Sequence, residues 1–286
     1  MAWEKSYTLR VVARQPFVRE RLPFFAGTAV FSFFFMKGRR CGIMPWKRNS
    51  CRGEMVMIDI AALSMDYWDD LMVRMAHHST AIEGNTLSQG DTKSLLLDGY
   101  IPRAMDLREM HEVLKYKRFM DFLQQSLARE RALSLDFIKE VHAVLCKDAI
   151  EGVAGRFKEI PNLVVGADFV PTPPYLVPTD LQKWLLDLAA QLAAAKSAED
   201  KIAAICRQHI RFERIHPFSD GNGRVGRALI VYSCLQEKEA PIVIPVEERK
   251  RYMNYLNTED LQGFVAFAKE LQKEEEERLR LFCAKG

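Results

Sequence analysis

The sequence has no cysteine pair at the spacing that builds a zinc ribbon or a CxxC redox centre. Its six cysteines, Cys41, Cys51, Cys146, Cys206, Cys234 and Cys283, are scattered along the chain. Cys206 and Cys234 fall in apolar helical patterns, which reads as buried thiols in a reducing, cytoplasmic compartment. Histidine offers no metal pattern either. His77, His78, His111, His142 and His209 lack a second ligand at zinc spacing, and His142 reads as a satisfied core histidine. Long apolar runs are missing too. The run at residues 24–36 has thirteen residues, too few to span a bilayer as a helix, and no small-residue cleavage site follows it. No membrane partner is expected. Basic excess is absent from the body of the chain. Residues 1–55 hold eleven Lys or Arg against three acids, whereas the remainder holds thirty against thirty-five, which leaves no footprint for nucleic acid. What the chain does have is material for a core: 286 residues, 48% hydrophobic and 28% charged, as in globular domains.

That core is organised around residues 216–227, His216-Pro217-Phe218-Ser219-Asp220-Gly221-Asn222-Gly223-Arg224-Val225-Gly226-Arg227. A helical stripe, Ile202, Ile205, Cys206 and Ile210, runs into the stretch, and a nearly all-apolar segment from Ala228 to Leu235 runs out of it. Between them, Gly221 and Gly223 permit close backbone approach, so that successive N–H groups can turn inward as an anion nest. A helix start adds free donors and the positive end of its dipole. Arg224 and Arg227 share a helix face and can reach an anion held there. Asp220 would repel phosphate unless a divalent cation bridged the two. His216 titrates near neutral pH and can act as a base. Singly, each feature also suits an ordinary connecting loop; in this order they describe phosphoryl or nucleotidyl transfer.

The stretch resembles the signature of the Fic family, His-Pro-Phe-x-Asp/Glu-Gly-Asn-Gly-Arg-x-x-Arg, at every specified position. The resemblance extends over roughly residues 59–275. It implies a mainly α fold, a Fic-type helical bundle with a small β-hairpin flap, in which AMP passes from ATP to a protein hydroxyl. In that reading His216 is the base and Asp220 holds Mg²⁺. Gly221, Asn222, Gly223 and Arg224 bind the nucleotide, and Arg227 grips its γ-phosphate. Upstream, Trp68, Leu71, Met72 and Met75 share a helix face, and the helix stops at Gly84. Glu83 there is either a solvated residue at a helix end or one needing a cationic partner, since a carboxylate is disfavoured at that end. Ser79, Glu83 and Gly84 match the family's Ser/Thr-x-x-x-Glu-Gly/Asn motif. The likeness implies an inhibitory helix at about 66–84 whose Glu83 pairs with Arg227 and keeps it from ATP.

Elsewhere the pattern is helical. Ser88 caps a helix through Leu97, ended by Gly99 and Pro102; another runs from Leu107 to about Arg129; Ser134 caps the next. Residues 155–178 break the rhythm, and Asn162 to Thr172 reads as a β-hairpin, either a packing arm or an edge for another chain. The resemblance makes it a flap that docks the target, carried by Val164, Val165, Phe169 and Val170. The preceding Gly155-Arg156-Phe157-Lys158 departs from the family's usual arginine at Lys158, which costs bidentate pairing. Thr179 caps a helix with Leu181, Trp184, Leu185, Leu188 and Leu192 as its core stripe. A helix from about Pro245 to Leu256 carries Tyr252, with Asn257 near its end; the resemblance makes both nucleotide-binding, the tyrosine by stacking on adenine. The last helix, Asp260 to about Cys283, bears residues 273–278, read as a solvated charged face.

Residues 1–58 read as an N-terminal extension outside the 59–286 domain, with Met44, Met55 or Met57 as alternative starts. The expected activity is transfer of AMP from ATP, with Mg²⁺, to a Ser, Thr or Tyr hydroxyl of a protein target, this protein itself included. Self-association into a homo-oligomer is left open. Three alternatives stand beside this: removal of AMP with Glu83 aligning water, a Doc-type phosphotransferase, which Gly223 argues against because that type carries Lys there, and a non-enzymatic binding module.

Overall fold

The computed structural model describes residues 58–146, 154–164 and 167–283; the apolar run at 24–36 lies outside them. Among the described residues the chain is helical, with no strand. Its order is α1 (Met65–Ile82), α2 (Gln89–Lys93), α3 (Leu107–Ala128), α4 (Leu135–Cys146), α5 (Val177–Ala194), α6 (Ala198–Ile215), α7 (Asn222–Gln236), α8 (Arg249–Thr258) and α9 (Leu261–Cys283). No helix among these residues is long and apolar enough to cross a membrane.

The axis of the molecule is α7. It is buried from Arg224 to Leu235, and beyond its two arginines it is nearly all apolar, as a helix packed on every side must be. Val225, Leu229 and Tyr232 enter a core shared with α1, α3, α4 and α5. Ile230 and Cys234 enter a second one with α6, α8 and α9. Cys206 and Cys234 are free, buried thiols, as their patterns imply, and Cys146 is a third.

Local chemistry sets most helix ends. Ser88 caps α2 in a reciprocal capping box with Asp91, and the helix continues as a π turn that Gly99 ends at φ +72°. Ser134 Oγ accepts the Phe137 N–H at 3.0 Å and caps α4. The Thr179 cap is not realised. Pro178 starts α5 one turn earlier, at Val177, because its fixed φ suits the first turn and its missing donor costs nothing there. After Pro245 comes a short 3₁₀ turn, Val246–Glu248, and α8 proper begins at Arg249.

One reading of the sequence finds no support among the described residues, and another is corrected. No paired strands form between Asn162 and Thr172 among the described residues; Val165 and Gly166 lie outside them. One turn bond, Ala167 N–H to the Val164 carbonyl at 3.2 Å, crosses the stretch. Strands this short, with no third strand beside them, gain too little from pairing. Val170 stands 82% exposed, while Phe169 lies over the Arg214 guanidinium at 4.4 Å and Thr172 N–H reaches the Arg214 carbonyl. The charged tract of α9 is not solvated throughout either. Glu275 is 5% exposed and receives two bonds of 2.8 Å from Arg74 and one of 2.6 Å from Tyr67 Oη, which ties α9 to α1. A lone carboxylate would not be buried; one facing a guanidinium fork is.

Candidate active site

His216 ends α6 in the left-handed conformation, φ +49° and ψ +61°. This turns the chain sharply and lifts the imidazole out of the helix. His216 Nδ1 lies 3.3 Å from the Glu213 carbonyl, which can only accept, so Nδ1 carries the proton and Nε2 keeps a lone pair. Burial pulls its pKa down to about 4; the Glu213 bond opposes this and the nearby Lys158 cation adds to it. The ring is neutral at pH 7, the state a base requires.

The turn after His216 is pinned from several sides. Phe218 is fully buried and stacks on the His142 ring, centroids 3.9 Å apart. The Asn222 side chain accepts the Phe218 N–H and donates to the Phe218 carbonyl, both at 2.8 Å. His142 is the satisfied core histidine its sequence context implies. Its Nδ1 accepts the Gly155 N–H at 2.8 Å, so its Nε2 donates to the Asp220 carbonyl at 3.1 Å. Gly221 caps α7 at φ +77°, and a Cβ there would strike Cys146 Sγ. No side chain caps the N-terminus of α7, so its first N–H groups are available to an anion, although Cys146 and Glu83 stand close beside it.

Around this end stand the charged groups. Arg224 donates through Nη2 to Asp220 Oδ2 at 3.0 Å, while its buried Nε and Nη1 have no partner among the described residues. Idle guanidinium donors beside a helix N-terminus suit a phosphate. Asp220 is 56% exposed, and no cluster of three metal-ligating side chains exists among the described residues. Magnesium is nevertheless commonly held by one carboxylate, phosphate oxygens and water, so Asp220 fits it.

Arg227 is the other pole. It donates from Nε to Ser79 Oγ at 2.9 Å, and from Nη2 to the Ser79 carbonyl at 2.9 Å and Glu83 Oε1 at 2.7 Å. Burial opposes its charge, but the Glu83 carboxylate holds its pKa above the usual value. Glu83 is the C-cap of α1, 144 residues from Arg227 in sequence, and Gly84 follows at φ +102°. At Gly223 a Cβ would strike Glu83 Oε1 and approach Arg227 Nη1 to 2.8 Å, so a lysine there is incompatible with this pairing.

Two further residues expected to bind the nucleotide stand differently. Tyr252 is 0% exposed, with its Oη 2.7 Å from His209 Nε2 and its ring centroid 6.0 Å from that of Phe264. It presents no face to a base; packing between α6 and α9 has claimed it. Asn257 is half-buried near the end of α8. Sequence reasoning missed Lys158 and Asn162 as site residues. They reach the histidine turn from the other side, and the departure from arginine at Lys158 was the signal.

Residues 132–234 match the Fic/DOC family. Two relatives, both named protein adenylyltransferase fic-1, from Caenorhabditis briggsae and Caenorhabditis elegans, are each 31% identical over 198 residues, which is 67% of this chain. The chain spans 38% of the length of these relatives. A fragment of Fic-1 from C. elegans superposes with TM-score 0.64 at 26% identity, covering 79% of this chain and 68% of that one. A Fic domain-containing signaling protein from Bacteroides thetaiotaomicron gives 0.67 at 24% identity, over 78% and 92%, which speaks to the fold alone.

Proposed function

The chain carries a Fic/DOC-family domain, and on that premise we propose that it is a protein adenylyltransferase, moving AMP from ATP to a Ser, Thr or Tyr hydroxyl of a protein target. One observation supports the reading: a neutral histidine, an uncapped helix N-terminus with idle arginine donors, and a second arginine closed by a carboxylate converge on one end of α7. The attacking hydroxyl gives its proton to His216 Nε2 as its oxygen bonds to the α-phosphorus. The bond to the β-phosphate oxygen breaks, and pyrophosphate leaves. The α7 N–H groups, Asn222 and Arg224 stabilise charge that grows on the phosphates. Asp220 would hold Mg²⁺, which supplies charge neutralisation on the leaving group.

Glu83 is the brake. While it bonds Arg227, that guanidinium is not open to a γ-phosphate, and its own charge repels one. Exposed Leu163 and Val170, with Val164 and Phe169, form the arm against which a target segment would lie. The buried free thiols suit a reducing, cytoplasmic setting.

The test uses ATP labelled at the α- or the γ-phosphate with wild type, Glu83→Gly and His216→Ala. The α label should appear on protein and the γ label should not. Glu83→Gly should transfer about ten- to a hundredfold faster than wild type. His216→Ala should lose about a hundredfold or more. Transfer of the γ label would replace this reading with phosphotransfer, and an unaccelerated Glu83→Gly would remove the brake.

A further inference from the structure

The segment before the arm meets the histidine turn at three carbonyls. Lys158 donates its backbone N–H to the Pro217 carbonyl at 2.9 Å and its ammonium to the Ile215 carbonyl at 3.4 Å. Those two carbonyls flank His216. The ammonium also donates to Asn162 Oδ1 at 2.7 Å, and Asn162 Nδ2 donates to the Phe218 carbonyl at 2.9 Å. Two side chains of one short segment thus hold the backbone on both sides of a non-glycine residue at positive φ, a conformation that persists only where its surroundings over-determine it.

Lys158 is an unusual choice for this place. It is 3% exposed, and its side-chain partners are amide oxygens, not a carboxylate. Burial pulls its pKa down to about 8. Helix geometry offsets part of that cost, because Ile215 ends α6 and a cation is favoured at the negative end of the helix dipole. An ammonium can satisfy two divergent acceptors from one nitrogen, which recovers here what the loss of an arginine fork gives up.

We propose that Lys158 and Asn162 form a bracket that fixes His216 in its left-handed conformation and sets a positive charge beside its imidazole, so that both serve as positioning residues for proton abstraction. The inference rests on His216 as the base. Charged groups facing the imidazole are Lys158 from the bracket, Glu83 from α1 and Asp220 from the turn; the two carboxylates favour the protonated ring, and Lys158 opposes them.

The experiment measures AMP transfer against pH in the Glu83→Gly protein, together with titration of the His216 ring by NMR, which needs no activity. Asn162→Ala breaks the link to Phe218 but keeps the charge. It should lower kcat about tenfold without moving the acid limb, since a displaced base costs rate and not protonation state. Lys158→Met should lower kcat at least as far and shift both the acid limb and the His216 titration to higher pH. Lys158→Arg should keep the limb in place. If Lys158→Met does not fold, Lys158→Gln retains donors without charge and should give the same shift. An unmoved titration in the neutral variants, or a loss of thermal stability with unchanged kcat, overturns the bracket. Persistent transfer by His216→Ala overturns instead the reading of the base, and the NMR titration still decides the bracket.

Discussion

A single methyl group at Gly226 would land in the least forgiving spot of the site. Its Cβ would strike Glu213 Oε1 and come within 2.9 Å of His209 Cε1, both on α6 and both buried. Neither can retreat to solvent. Burial pushes the Glu213 carboxyl up to about 7 and pulls the His209 imidazole down to about 3, so the pair is held as near-neutral groups. Gly226→Ala should therefore push α6 from α7 and cost about 1–3 kcal/mol. Urea unfolding at pH 7 checks this, and an unchanged midpoint would mean that the pair yields. At this scale the sequence was legible where chemistry is local. His216, Asp220 and Arg224 owe their places to one short turn, and Phe218 anchors it. Tyr252 was not legible: its burial is decided by His209 and Phe264, partners that no local pattern links to it.

Among the elements, α1 is the one whose end closes on the candidate site. It has no basic residue in its last turn, yet its C-terminus meets two guanidinium groups from elsewhere. Arg227 takes Ser79 and Glu83, and Arg249, at the start of α8, donates from Nε to the Ile82 carbonyl at 2.7 Å. Both complement the negative end of the helix. Loss of the second should loosen Glu83. Arg249→Met is expected to raise AMP transfer about two- to tenfold, a loosening on the scale of a hydrogen bond to a charged group. Combined with Glu83→Gly it should add nothing. An equal effect in both backgrounds would show that Arg249 acts elsewhere. The helices themselves were readable because stripes and caps are short-range: Ser88 and Ser134 cap as their spacing implies. The arm at Asn162–Thr172 was not. Short runs of apolar, β-branched residues describe a strand only when a neighbour accepts its hydrogen bonds, and here the backbone of α6 takes one of them instead.

At the scale of the described structure, burial favours the neutral form of the buried histidines. Burial is the largest cause in each case, and it draws His78, His142 and His216 down to about 4 and His209 to about 3. Unfolded, they take up protons near pH 6.5. Between about pH 6.5 and 4 the unfolded chain thus binds more protons, and stability is lost as pH falls through that window. Each histidine contributes a slope of up to about 1.4 kcal/mol per pH unit. Glu213 acts oppositely: raised to about 7, it keeps in the fold a proton that the unfolded chain releases above about pH 4.5, so its share fades as pH rises. Burial draws His77 down as well and raises Glu276 as it does Glu213, so five histidines against two carboxyls decide the sign. The urea midpoint should drop from pH 7 to pH 5, and a flat or rising midpoint would mean that the folded histidines accept protons.

The buried fork between Arg74 and Glu275 has a mechanical consequence. It fixes the middle of α1 to α9, and Glu83 projects beyond it by about 13 Å at a rise of about 1.5 Å per residue. The helix is then a lever with its fulcrum at Arg74. A tilt of about 4° there carries the Glu83 carboxylate about 1 Å, enough to part a short hydrogen bond from Arg227. Ser79 and Glu83, which both hold Arg227, lie on the same side of that tie, so one tilt would loosen the two contacts together.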